Sequence, residues 1–480
     1  MSEPCDLSAV EARRLIGRKR LSPIELLESC IARIEMVNPT LNAVVAECYD
    51  RARSEARAAT EALVGGEKLL PLHGIPFGVK DLNDTQGLVT TYGSPLYRDY
   101  VPEKDELLVA KLRQAGGIVL GKTATPEFGA GGNTTVNEVH GYTRNAFDPS
   151  RACGGSSGGS GVALATGMMP LCTGSDSGGS LRKPATFSGV SAIRPTTGLV
   201  PSDKRGVGFT NFSVQGPMAR TADDCALMLS VMAGNDVEDP LSFDVRGEDY
   251  RILPQVDLST LRVAISVDFG WAPVEHGIRD TFEARIKRFQ SVFKSCERFD
   301  PPLDTALDVF WILRGVQFLA SHLERYRNHR DQVGQNIVAN VEAGLEMKSE
   351  DIGWANAEHT RLYRQFQQMF HDYDVLITPG QPITPTPVEQ RNVTEINGIP
   401  MKNYMNSSAL TSSLTLMGNP CVSTPCGIDH TGMPFGLQLC GPMHSDAFTL
   451  GVARSLERVF ENDWELARPL PDLEKIRATE

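Results

Sequence analysis

The stretch that most constrains this chain runs from Cys153 to Pro184, CGGSSGGSGVALATGMMPLCTGSDSGGSLRKP, where two glycine-serine loops bracket a small-residue apolar segment. Glycine at this density admits backbone conformations closed to other residues and lets main-chain N–H groups converge on one point. Ser156 opens the first loop and Ser180 closes the second, so two hydroxyls are framed by backbone with little side-chain bulk. Converging donors of this kind suit an oxyanion hole, with Ser177, Gly178 and Gly179 as the candidate N–H groups. A flexible Gly/Ser linker is the plain alternative. A linker would not enclose Val162, Leu164, Met168, Met169 and Leu171, nor end in Asp176, Arg182 and Pro184.

The block GGSSGGSGVALATG followed by GSDSGGSLRKPA resembles the signature of the amidase signature family of serine hydrolases. LHGIPFGVKD at 72–81 is similar to the family's lysine segment, and VSAIRPTTGLVPS, SVQGPMARTADDCALML, YDVLITP and PFGLQLCGP resemble further landmarks. The resemblance implies Ser180 as nucleophile, Ser156 as a bridging serine after a cis peptide bond, and Lys80 as base. It implies an α/β fold, a single α/β/α domain over 1–480 with a large mixed sheet covered by helices on both faces. Gly129, Ala130 and Gly131 would line a roomy acyl pocket. The substrate would be a small-molecule amide, aryl amide or carbamate, with no cofactor and no metal.

The chemistry of those residue types is coherent in itself. A serine hydroxyl is a weak nucleophile at neutral pH and needs a base within hydrogen-bond reach. Lysine serves only when neutral, and burial lowers its pKa by disfavouring the ammonium. Lys80 follows Ile75, Pro76, Phe77, Gly78 and Val79, an apolar run. Asp81 would favour the charged form, but neighbours on a strand point to opposite faces, so it need not share the pocket. Ser156 can relay a proton because a hydroxyl both donates and accepts. Ser157 and Ser160 read as residues that tie down backbone, and Asp176 and Arg182 as groups that hold the loop or as a plain structural ion pair.

Landmarks scattered from Lys80 to Pro442 must converge on one site, which argues against the several domains that 480 residues would otherwise suggest. Within one domain, 1–60 reads as N-terminal helices, 61–230 as the catalytic core and 301–360 as a variable helical insert. The insert carries Phe310, Trp311, Phe318, Tyr326 and Trp354 among charged residues, and fits either a substrate mouth or an exposed flank packed on the core. A formal charge of -12 disfavours nucleic acid and anionic membrane as partners. Ten cysteines with no CxxC pair read as reduced thiols of a cytoplasmic protein, and Cys153 as a packing residue rather than a reactive one.

Ser8–Glu11 and Ser22–Glu25 are two capping-box patterns, the second with Pro23 at the first helical position. Leu27, Ile31, Ile34 and Val37 stripe the second helix, with Asn38-Pro39 expected to end it. Further elements are a helix from Asp105 into a strand at 118–120, a strand at 261–267, a helix bearing Ile278 to Phe293, strands at 375–378 and 434–440, and a helix after Ser445. The N-terminal helices are expected outside the sheet or in a homodimer contact.

Two other functions need weighing. Gly116–Thr123 matches the phosphate-loop expression G-x-x-x-x-G-K-[ST]. Ile118-Val119-Leu120 reads as a strand instead, and Pro126 falls where the helix should open. Histidines show no metal spacing, which disfavours a zinc hydrolase. Within the family, the amidase component of a tRNA-dependent amidotransferase shares the same motifs and would act with a partner.

Overall fold

The computed structural model describes residues 3–477. Its centre is a mixed eleven-stranded sheet. From one edge the strands are Val44–Glu47, Ile118–Thr123, Pro76–Lys80, Leu171–Asp176, Val214–Ala219, Ser191–Arg194, Cys421–Ile428, Pro434–Cys440, Val375–Pro379, Arg262–Ile265 and Ser295–Arg298. Helices flank it, giving the α/β architecture that alternating helical and strand patterns require. The middle strands are buried along their whole length, as strands covered on both faces must be.

Pro76–Lys80 pairs in parallel with Leu171–Asp176, Phe77 opposite Leu171 and Gly78 opposite Cys172. That register brings Lys80 and the loop after Asp176 to the same end of the sheet. Helix Gly158–Ala165, built only of small and apolar residues, packs against these strands and carries the first serine loop at its N-terminal end.

Ser22 makes the full capping box: its Oγ accepts from Glu25 N at 3.2 Å and Glu25 Oε2 accepts from Ser22 N at 2.8 Å. Replacing Ser22 with alanine is expected to cost about 1 kcal/mol, read as a lower denaturant midpoint at unchanged slope. Ser8 caps with its hydroxyl only, because the Glu11 carboxylate pairs with Arg14 instead. The second helix does not end at Asn38-Pro39 but runs Pro23–Leu41, with Asn42 in the left-handed conformation at φ 52°. Pro39 costs one helical bond, while the Asn38 carboxamide accepts from the N–H groups of Ala43 and Val44 and shapes the exit. Its apolar stripe is covered within the monomer.

Residues 301–360 form helices Ala306–His329 and Gln335–Glu346 and most of Ser349–Gln368. Phe310 and Phe318 are buried, whereas Trp354 is exposed. Among the described residues no helix is long and apolar enough to cross a membrane.

Candidate active site

Lys80 ends its strand with the side chain fully buried. Nζ lies 2.7 Å from Ser156 Oγ, 2.9 Å from Ser157 Oγ and 2.9 Å from Ser175 Oγ. Burial pushes its pKa down to about 7, and the charge of Asp176 only partly opposes that. Three hydroxyl partners and no carboxylate are what a lysine needs to exist as a neutral acceptor. Asp81 turns away from it, accepting from Thr91 N at 3.2 Å and lying 3.7 Å from Lys122.

The peptide bond Gly155–Ser156 is cis. Gly129 sits against Ser156: an added Cβ would lie 3.2 Å from Ser156 Oγ, and its φ of +72° favours glycine independently. Ser180 is half-buried and faces a cavity of about 630 Å³ that Ser156, Ser175 and Ser177 also line. Its hydroxyl makes no hydrogen bond among the described residues, and its carbonyl accepts from Ser157 N at 3.2 Å, which ties the two serine loops together.

The loop between Asp176 and Ser180 is organised by the Asp176 carboxylate. Oδ1 accepts from Gly178 N at 3.1 Å and Gly179 N at 2.8 Å, and Oδ2 from Leu181 N at 3.1 Å and Arg182 Nε at 3.0 Å. Two of the three expected oxyanion donors, Gly178 and Gly179, are therefore engaged inside the loop. The N–H groups of Ser177 and Ser180 have no partner among the described residues and are the donors left for a ligand. Burial acts to raise the Asp176 pKa, but Arg182 and Arg194 overcome it and hold the carboxyl well below its usual range. Arg182 also donates to Gln438 Oε1 at 2.6 Å and Thr415 Oγ1 at 2.8 Å, linking the loop to the far half of the sheet. Asp176 and Arg182 thus touch the loop from behind rather than the cavity.

Gly129 and Gly131 line the cavity; Ala130 does not. Its methyl packs with Phe318, Ile337 and Val341, because the one-turn helix Glu127–Gly129 rotates it away. The mouth is aromatic: Tyr92 and Tyr97 are edge to face at 5.0 Å and Phe128 tilts on His322 at 4.9 Å. Helix Ala306–His329 supplies the opposite wall, so the 301–360 segment contributes to the mouth.

Sequence reasoning missed three residues here. Ser175 contacts Lys80 directly, and the signal was the period-two pair Thr173 and Ser175, since Thr173 Oγ1 also accepts from Lys80 N at 2.9 Å. Lys183 lines the cavity with Nζ on Ser408 Oγ at 2.6 Å, its pKa pushed down to about 8 by burial with Asp176 opposing. Arg314 lies on the insert helix. Ser157 does more than tie down backbone, since it accepts from Lys80. Gly121-Lys122-Thr123 of the phosphate-loop expression lies inside a buried strand, with Lys122 Nζ on Thr90 Oγ1 at 3.0 Å. Lys122 is pushed down to about 8 by burial, against the charges of Asp81, Glu106 and Asp84. Cys153 is buried, and burial raises its thiol to about 12, which makes it a packing residue.

A serine-lined cavity over a buried lysine, on a mixed sheet of this order, defines a class of hydrolase. The family described as Amidase matches residues 25–450, and the chain belongs to the amidase signature family of enzymes that act on carbon-nitrogen bonds of non-peptide amides. It is 32% identical over 469 residues to an acylamidase from Rhodococcus erythropolis, covering 97% of this chain and 98% of the relative. It is also 32% identical over 483 residues to the amidase component, the first-lettered of the subunits, of the glutamyl-tRNA(Gln) amidotransferase from Alkaliphilus metalliredigens, covering 94% and 96%. Among solved structures, a bacterial aryl acylamidase superposes with a TM-score of 0.87 at 27% identity, covering 94% of this chain and 96% of that one.

Proposed function

We propose that the chain is a stand-alone amidase that cleaves small aryl amides or carbamates through an acyl-enzyme on Ser180. The observation that carries this is the buried Lys80, held at 2.7 Å from Ser156 Oγ beside the cavity that Ser180 faces. Ser180 Oγ attacks the carbonyl carbon while its proton passes through Ser156 to the neutral Lys80 amine. The N–H groups of Ser177 and Ser180 receive the developing oxyanion, each such donor contributing about 3 kcal/mol to barrier lowering. Lys80 returns the proton through Ser156 to the departing nitrogen, which an amine leaving group requires. Water then repeats the sequence on the acyl-enzyme. The aromatic mouth around Tyr92, Tyr97 and Phe128 favours a flat aromatic portion in the substrate.

A second reading, the amidase component of a tRNA-dependent amidotransferase, is favoured by the 32% identity to such a protein. The purified chain alone, assayed on 4-nitroacetanilide, aryl carbamates and glutamine, separates the two. Hydrolysis of the anilide without a partner supports the first. Inactivity on the anilides and carbamates alone, with glutaminase activity appearing on adding the other amidotransferase components, supports the second.

The protonated amine cannot accept, so kcat/KM is expected to rise with pH through an apparent pKa near the value of about 7 given to Lys80 by burial. The limb belongs to the coupled lysine-serine site. A profile flat from about pH 5 to 9 would remove the lysine from the mechanism.

A further inference from the structure

The cavity is cationic in a chain whose formal charge is -12. Lys183, Lys204, Arg205, Arg314 and Arg325 line it against one carboxylate, Glu106. Glu106 is bound by Asn83, Gln215 and the N–H of Asp84, and burial raises its pKa, so it offsets little. Lys204 pairs with Asp84, and Arg205 with Asp239 at 2.9 Å. That leaves Lys183, Arg325 and Arg314 with no carboxylate within 4.0 Å among the described residues.

Arg314 is the sharpest case, because it is only 6% exposed. Nε donates to Asn340 Oδ1 at 2.9 Å and Nη2 to Tyr404 OH at 2.8 Å, both neutral acceptors, and the guanidinium lies 4.5 Å from the centre of the Phe318 ring. Nη1 has no partner among the described residues. One turn along the same helix, the buried Nε2 of Gln317 is also unpartnered among the described residues and also borders the cavity. Burying a guanidinium without a counter-charge is costly, and neutral acceptors recover only part of the loss. The neighbouring His322 records the same imbalance, its pKa pushed down to about 3 by burial and by Arg325 and Arg314. Phe310, one turn back, reaches Gly178 of the nucleophile loop, its ring edge 2.9 Å from where a Cβ would stand. The arginine is therefore about one aromatic ring removed from that loop.

We infer that Arg314 is a specificity-determining residue that binds a carboxylate of the substrate, with Gln317 donating alongside it, so that the enzyme selects amides carrying an anionic group. This rests on the active-site reading above. The geometry of a planar guanidinium with a free edge suits a carboxylate better than a neutral carbonyl.

The test is calorimetric binding to the Ser180→Ala protein, which prevents turnover, of N-benzoylglycine and its uncharged counterpart N-benzoylglycinamide. The acid is expected to bind at least tenfold more tightly than the amide. Adding Arg314→Gln should bring the ratio close to one, and Arg314→Lys should retain part of it. If the glutamine variant does not fold, the ligand pair on the arginine protein together with the lysine variant still decides. Equal affinities, tighter binding of the amide, saturable binding of neither compound, or a preference that survives Arg314→Gln would each overturn the assignment. Phosphonate labelling of the wild-type protein at Ser180 reports separately on the hydrolase reading. Carboxylate preference without labelling would sink that reading and leave the Arg314 assignment standing.

Discussion

Replacing Ser180 with alanine is expected to lower kcat by roughly 10⁴-fold or more and to abolish labelling by a serine-directed phosphonate. The hydroxyl makes no hydrogen bond among the described residues and faces the cavity, so its loss removes a reacting atom without opening a hole in the core. Melting temperature should therefore hold while activity vanishes. Ser156→Ala is the informative companion. Its Oγ is the acceptor nearest Lys80, but Ser157 and Ser175 remain at 2.9 Å, so the lysine stays placed and a water can take over part of the relay. Labelling that persists in Ser180→Ala would move the nucleophile elsewhere.

Asp176→Ala is expected to have the largest effect on stability, about 3–5 kcal/mol, because it strands two buried guanidiniums. Arg182 lies at 3.0 Å and Arg194 at 3.5 Å, both fully buried. The same carboxylate holds the N–H groups of Gly178, Gly179 and Leu181, so the nucleophile loop loosens as well. Chemical denaturation at pH 7 gives the first effect, and kcat at a permissive temperature the second. The sign with pH follows from the carboxyl being held below its usual range: the contribution is full above the unfolded pKa of about 3.9 and is lost as pH falls through the folded value. Wild type and variant should therefore converge in strong acid. A variant as stable as wild type at pH 7 would show that Arg182 and Arg194 find other partners.

The parts of the site written contiguously were legible in the chain. Both serine loops are local in sequence, and the apolar run before Lys80 announced its burial. Gly178 and Gly179 were misread as free donors although the signal was present, since an aspartate two and three residues before glycine N–H groups tends to close an Asx turn on them. What depends on register was not legible. Ser175 meets Lys80 only because two strands pair in parallel with Phe77 opposite Leu171. Arg314 meets the cavity only because a helix far along the chain folds back over the nucleophile loop. Pro39 misled for a different reason: the asparagine before it bonds to the chain beyond and carries the helix past the proline.

Lys80, Lys122 and Lys183 together alter how many protons the folded chain holds. Their values of about 7, 8 and 8 lie below the ordinary 10.5, because burial disfavours each ammonium. Between pH 7 and 10.5 the unfolded chain binds more protons at these sites, so unfolding takes protons up and this contribution to stability grows as pH rises. The buried thiols work the other way. Cys153 and Cys172, raised by burial to about 12 from 9.0, keep protons that the unfolded chain gives up, so above pH 9 unfolding releases protons there. Burial raises Cys30, Cys225 and Cys426 in the same sense. The opposed populations bring their joint contribution to a crest on the alkaline side of neutrality, about pH 9. There Lys80 is unprotonated, so the conditions that deprotonate the base are those under which the buried groups that surround it are least burdened by their charge.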